Sequence, residues 1–248
     1  MTMNPKVMNK VFQIFMAPCL AWAAAAAMLP ANAWANDAAQ AAPLATGAGE
    51  SAFTMRPDAL INASETNRMK EVRALLAAGA DPNVARPNGV TPLMAASVLD
   101  HAEVVKALLA AGAKVNAQDK DGWTALIYAG NQGKMNTLNL LLAAGADPNV
   151  GGLSGMTPLL YACNGKFPEV AMRLLEAGAN AKAKDQNGRT ALMLAAVKGH
   201  VVLVKPLLAA GAEPNAANAD GKTAFDLAAT EAFRAALQEA LEKKSNNK

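Results

Sequence analysis

Residues 121–150 read DGWTALIYAGNQGKMNTLNLLLAAGADPNV, and the pattern of this stretch returns along the chain at one fixed interval. Gly89, Gly122, Gly155, Gly188 and Gly221 stand 33 residues apart, and Gly79, Gly112, Gly145, Gly178 and Gly211 keep the same step ten residues upstream. A threonine follows each first-series glycine by two positions: Thr91, Thr124, Thr157, Thr190 and Thr223. Self-similarity at a period of 20–50 residues marks a stacked repeat array. Such an array presents an extended surface in place of a pocket built for chemistry.

Within the quoted unit, Asp121-Gly122 suits a two-residue hairpin turn of type I′, which needs positive φ at both central positions. Asn88-Gly89, Asn187-Gly188 and Asp220-Gly221 repeat that pairing, and Ser154-Gly155 is a weaker version. Thr124 then offers an N-cap oxygen to the orphan amides of a helix's first turn. Pro92 and Pro158 follow their threonines at the first helical position, where the missing N–H costs nothing. The pattern predicts a short helix to about Asn131 and a second from near Met135, stopped by Gly145 in the left-handed region. Neither helix has enough apolar face to stand alone, so the units must stack and share one core.

The strings TPLMAAS (91–97), TALIYAG (124–130), TPLLYAC (157–163) and TALMLAA (190–196) resemble the threonine-proline-leucine-histidine-x-alanine-alanine signature of the ankyrin repeat family. AGAKVNAQDKDG (111–122) and AGANAKAKDQNG (177–188) resemble that family's segment between helix and hairpin, and the match runs in register over about residues 58–244. One departure is systematic, since Met94, Ile127, Leu160, Met193 and Asp226 stand where the family carries histidine. The family's side-chain hydrogen bond is expected to be absent there, with apolar packing in its place in the four internal repeats. The resemblance implies an all-α solenoid of stacked helix pairs with β-hairpin-like loops. Its six units span about 57–87, 88–120, 121–153, 154–186, 187–219 and 220–244, within a domain covering 57–248. The first unit lacks a hairpin glycine and the last runs into EAFRAALQEALEKK, so both read as caps that keep the array soluble. Pro206 falls inside the fifth unit's second helix, where Ala107, Leu140 and Arg173 stand elsewhere, and predicts a local kink.

Residues 1–35 stand apart from the array. Lys6 and Lys10 precede an uncharged apolar stretch from Val11 to Leu29, and Ala31-Asn32-Ala33 and Ala33-Trp34-Ala35 are small-x-small cleavage sites. This is the pattern of a secretory signal peptide, with cleavage near Ala33 or Ala35, and it places the chain in a bacterial periplasm. Left uncut, the stretch is long enough to span a bilayer, which is the competing reading. Residues 36–56 carry no sustained period and read as a flexible linker. Loss of the leader takes Lys6 and Lys10 from a net charge of +3, leaving +1, which argues against a nucleic-acid partner.

A catalytic constellation is missing. With Cys19 in the leader only Cys163 remains, excluding an intramolecular disulfide, and its counterparts Ser97, Gly130 and Ala196 mark a small buried position. His101 and His200 lie three repeats apart, which at about 8–10 Å per helix layer puts the rings roughly 30 Å from each other, too far to share a metal. Both occupy a register position where the ankyrin family commonly carries histidine. Asp119, Asp121, Asp185 and Asp220 belong to hairpins and lack the spacing of a calcium loop. The chain is therefore not read as an enzyme, and no catalytic residue, cofactor, metal or small-molecule substrate is expected.

Recognition falls to the positions that vary between repeats. After the hairpin glycine these are Val90, Trp123, Met156, Arg189 and Lys222; the hairpin tips add Lys120, Leu153 and Gln186. Between the helices they are Val98-Leu99, Asn131-Gln132, Asn164-Gly165 and Val197-Lys198. In the ankyrin family these series line a concave groove. The resemblance implies a partner-binding set of Val90, Leu99, Lys120, Trp123, Asn131, Gln132, Leu153, Met156, Asn164, Arg189, Lys198 and Lys222. The groove would be apolar in its middle and basic toward its C-terminal end, the basic residues forming a solvated face in preference to an acidic-ligand site. Trp123 is the leading hot-spot candidate, since tryptophan is enriched among them; the competing reading packs it at the edge of a neighbouring hairpin. Tyr128 and Tyr161 share the position of Leu194 and Leu227 and are expected to pack between repeats. The expected partner is another exported protein, bound by a scaffold or protective partner, or else an exported enzyme held by an inhibitor or immunity factor. A membrane-tethered adaptor follows only if the N-terminus stays uncut.

Overall fold

The computed structural model describes residues 58–246; the expected signal peptide and linker lie outside the described residues. The described chain forms consecutive helix pairs: α1 (Ala59–Glu65) with α2 (Met69–Ala77), α3 (Pro92–Val98) with α4 (Ala102–Ala110), α5 (Ala125–Asn131) with α6 (Met135–Ala143), and α7 (Pro158–Asn164) with α8 (Pro168–Glu176). They continue with α9 (Ala191–Lys198) and α10 (Val204–Ala209), then α11 (Ala224–Leu227) and the longer α12 (Glu231–Asn246). The odd-numbered helices through α11 stack on one another as an inner row, and the even-numbered ones form an outer row.

Local chemistry explains the boundaries. Each inner helix from α3 onward begins at its threonine, whose side chain accepts the amide three residues on: Met94, Ile127, Leu160, Met193 and Asp226. Pro92 and Pro158 sit at the first helical position as expected. The outer helices α2, α4, α6, α8 and α10 close with a double carbonyl cap. In α6 the Ala146 amide donates to Leu141 O and the Gly145 amide to Leu142 O, with Gly145 at φ 85°. That geometry needs a left-handed residue, which glycine adopts without strain.

Three expectations change. The hairpin is not type I′, because Asp121 does not take positive φ; only Gly122 does, at 77°. The Gly122 amide donates to Asp119 O and the Asp119 amide to Trp123 O, a three-residue loop built from a type I turn and a left-handed glycine. Asp119 supports this form by accepting the amides of Asp121 and Trp123 at 3.0 and 2.8 Å. Second, part of the missing histidine's work is retained. Asp226 accepts the Thr223 amide at 2.8 Å, and the sulfurs of Met94 and Met193 accept from Thr91 and Thr190 at 3.4 and 3.5 Å. Ile127 and Leu160 have no acceptor and are fully buried, so packing replaces the bond there. Third, Pro206 shortens its helix in place of kinking it. A 3-10 turn, Val201–Leu203, precedes α10, which puts Pro206 in the first turn of α10, where an amide is not needed.

One continuous core runs between the rows. It includes Leu75, Leu108, Leu141, Leu174 and Leu207 from successive outer helices and Leu93, Leu126, Leu159 and Leu192 from inner ones. At the C-terminal end α12 covers the stack with Phe233 and Leu237, both buried. Successive hairpins are tied by one backbone bond each. Lys120, Leu153, Gln186 and Ala219 donate to Asn88 O, Asp121 O, Ser154 O and Asn187 O at 3.0–3.1 Å.

Candidate functional site: the hairpin and inner-helix face

The hairpin loops and inner helices present one face of the stack, and its middle carries an aromatic group. Trp123 enters from the second hairpin. Its ring centroid lies 5.0 Å from that of Tyr128 on α5 and 4.8 Å from that of Tyr161 on α7, with tilted planes at 55° and 57°. Such offset pairs contribute about 0.5–1.5 kcal/mol each beyond their buried area. The Tyr128 hydroxyl donates to Asp119 Oδ2 at 2.6 Å, so one buried carboxylate braces both the turn and the aromatic group. Gly152 completes the arrangement. A Cβ there would lie 3.1 Å from Asp121 O and 3.4 Å from Trp123 Cδ1, so the missing side chain makes room for the preceding hairpin's backbone and its indole. In the same register stand Arg86, Asp119, Asp185 and Asn218. A glycine in that series, one repeat beyond a tryptophan, is the signal that sequence reading passed over.

Beside this group, Leu153 at the next hairpin tip is 71% exposed, a large apolar side chain held outward by its position in the turn. Leu99, just after α3, and Val197, in the last turn of α9, are also exposed. Lys120, Gln132, Lys198 and Lys222 are exposed, while Asn131 and Asn164 are half-buried.

Two expected surface residues are corrected. Val90 and Met156 are buried and belong to the core cluster, although they share the register of Trp123. Their short or flexible apolar side chains fold into the stack, whereas an indole or a charged head group overruns it. Arg189 is half-buried and committed. Its guanidinium pairs at 2.6 Å with Asp185, whose side chain is 1% exposed, so the basic end of the face rests on Lys198 and Lys222. Trp123 packs against the neighbouring hairpin, as the competing reading has it, and stays half-exposed. Tyr128 and Tyr161 do pack across a repeat boundary, against the core below and the indole beside them.

The remaining chemistry-bearing side chains are structural. His101 Nε2 lies 3.1 Å from Glu65 O and His200 Nε2 2.8 Å from Gly165 O, each ring holding the end of the preceding repeat's inner helix. Cys163 is fully buried, and burial pushes its thiol up to about 12. Among the described residues no three His, Cys, Asp or Glu side chains are placed to hold a metal ion. No described helix is long and apolar enough to cross a membrane.

Threonine-capped inner helices, glycine-closed outer helices and linked hairpins define an all-α repeat solenoid with a broad face and paired helices in register. The family model of ankyrin repeats matches residues 60–151, 132–218 and 159–247, and the chain belongs to the ankyrin repeat family. Among solved structures it is similar to the ankyrin repeat domain of Bcl-3, described as a unique member of the IkappaB protein family. That similarity has 31% identity over 73% of this chain and 81% of that one, with a TM-score of 0.67. An ankyrin repeat domain from Acinetobacter baumannii AYE is similar at 28% identity over 76% of this chain and 99% of that one, with a TM-score of 0.68. No curated protein matches the chain. Ankyrin repeats are in general protein–protein interaction modules, and their fold is typically a non-catalytic scaffold.

Proposed function

We propose that this chain is an exported, non-enzymatic binding protein of a bacterial periplasm. It engages one protein partner through the concave face formed by the hairpins and inner helices, as a scaffold or protective partner. The observation that carries this reading is the aromatic group Trp123, Tyr128 and Tyr161 beside the exposed Leu153. Rigid, pre-packed aromatic rings lose little conformational freedom on binding, and such residues dominate interface energetics. Lys198 and Lys222, two units further along, would set orientation more than affinity. The apolar leader of residues 11–29 and the alanine cleavage sites support export.

The test is capture from periplasmic extract with the wild type beside Leu153→Asp and Trp123→Ala, identified by mass spectrometry. Leu153→Asp alters an exposed side chain only, so it separates lost binding from lost folding. A protein held by the wild type and released by both variants supports the reading, whereas equal capture by all three removes this face from consideration. An intact-mass measurement of the purified chain, beginning after Ala33 or Ala35, checks export; an uncut chain of full mass overturns it.

A further inference from the structure

At the end of the stack where each inner helix turns into its outer one, the ties between units differ from junction to junction. Between the first and second units the His101 ring reaches Glu65 O at 3.1 Å, and between the fourth and fifth the His200 ring reaches Gly165 O at 2.8 Å. Between the second and third, Asp100 does this work. Its Oδ1 accepts the amide and the hydroxyl of Thr137 at 3.0 and 2.8 Å, and its Oδ2 accepts from Asn136 at 3.1 Å. Between the fifth and sixth the Ala229 amide donates to Ala196 O at 3.0 Å.

The junction between the third and fourth units can form none of these side-chain ties. Gly133 stands in the register of Asp100 and has no side chain; Phe167 stands in that of His101 and His200 and has neither donor nor acceptor. The Phe167 ring lies instead on Gly133, 2.6 Å from where a Cβ would stand, so dispersion replaces a directional bond. The helices also stand further apart here. Outer helices α6 and α8 pack on each other less than any other consecutive outer pair, and α5 and α7 less than any other consecutive inner pair. An exposed bond from Arg173 Nε to Asn139 Oδ1, at 2.7 Å, spans the outer row. The hairpin end of the same junction is held. There the Leu153 amide donates to Asp121 O at 3.0 Å, and Trp123 packs on Tyr161. Asn149 grips the far end of α8, donating to Gly178 O at 3.4 Å and accepting the Asn180 amide at 2.7 Å.

We propose that this junction is a hinge, with its hairpin end as the pivot and its loop end opening between α6 and α8. In a linear array each seam has its own nearest-neighbour strength, and local opening draws on the least-bonded one. The first three units then move against the last three. Trp123 and Tyr161 stand on opposite sides of the seam, so a partner that grips both rings holds the hinge closed. That link rests on the binding face proposed above, and the hinge itself does not.

Pulsed electron paramagnetic resonance on the full chain, with Cys19 and Cys163 replaced by alanine, tests the hinge without any partner. Arg73, Lys106, Asn139 and Met172 are exposed at matching positions of successive outer helices and can carry nitroxide labels on substituted cysteines. The Arg73/Asn139 and Lys106/Met172 pairs are equally long and share the junction between the second and third units, but only Lys106/Met172 crosses the hinge. Its distance distribution should be about twice as wide as that of Arg73/Asn139. Phe167→His supplies a ring nitrogen at the open seam and should narrow the Lys106/Met172 distribution. Asp100→Gly removes the tie from its neighbour and should widen the Arg73/Asn139 distribution. Equal widths in the two pairs would show a uniformly stiff stack and overturn the proposal. Widths that do not respond to the two variants would overturn it equally, because the loop-end bonds would then not set the stiffness of the seams.

Discussion

At the scale of single residues, the hairpin glycines carry two separable demands. Gly122 has φ +77°, and a Cβ there would lie 2.9 Å from the Gly152 Cα of the next hairpin; Gly221 has φ +75° with nothing within 4 Å. Gly221→Ala therefore meets only backbone strain, about 1–2 kcal/mol. Gly122→Ala adds a clash with rigid backbone, about 2–4 kcal/mol in all. Urea unfolding of the two variants should rank them in that order, and equal losses would show that the hairpins slide apart freely. Cys163 makes a second prediction. Burial raises its thiol from an ordinary value of 9.0 to about 12, so the folded state holds it neutral. The stability linked to this group is present below pH 9 and is lost as pH rises from there through about 12, because the unfolded chain releases the proton first. Cys163→Ala, the residue found at the matching Ala196, should flatten that part of the pH–stability curve relative to wild type. The native thiol should also resist alkylation at pH 8 until denaturant is added.

At the scale of elements, the inner helices depend on their caps because each is short. Helix α5 has seven residues, and Thr124 Oγ1 accepts the Ile127 amide at 3.3 Å in a fully packed setting. Removing an N-cap hydroxyl costs about 0.5–2 kcal/mol. Thr124→Ala should fall near the upper end of that range by chemical denaturation, and Thr223→Ala, at the open end of the stack, near the lower. Inversion of that order would mean that the cap acts through something other than the buried amide. These caps, the Schellman glycines and the start and stop of α5 and α6 were legible in residue type and spacing, since each follows from a local bond. The hairpin type was not, because Asp-Gly serves both a two-residue loop and a type I turn with a left-handed glycine. The choice fell to Asp119, two residues upstream, which bonds the turn and Tyr128 together. Nor was the fate of Pro206 legible, since a proline forbids a bond without saying whether the helix bends or begins later.

At the scale of the whole molecule, stability passes from unit to unit, and the ends must be sealed. Phe233 and Leu237 of α12 are buried against the last units. Deleting residues 220–248 would open Leu192, Leu203 and Leu207 toward water. The truncated chain should lose solubility or bind a hydrophobic dye that the full chain does not, because an uncapped apolar layer is a template for association. A soluble, dye-silent truncation would show that the fifth unit can close the stack unaided.

The repeat length, the helix pairs, the register of every cap and the family were readable from residues alone, because each rests on bonds within one unit or on a pattern that recurs five times. The surface was readable only in part. Register placed Val90, Trp123, Met156, Arg189 and Lys222 in one series, yet the stack buries Val90 and Met156, ties Arg189 to Asp185 and leaves Trp123 half-open. Which member of such a series faces solvent depends on side-chain volume against neighbours a full repeat away, such as the space left by Gly152. That is a property of packing between units, and no single unit contains it.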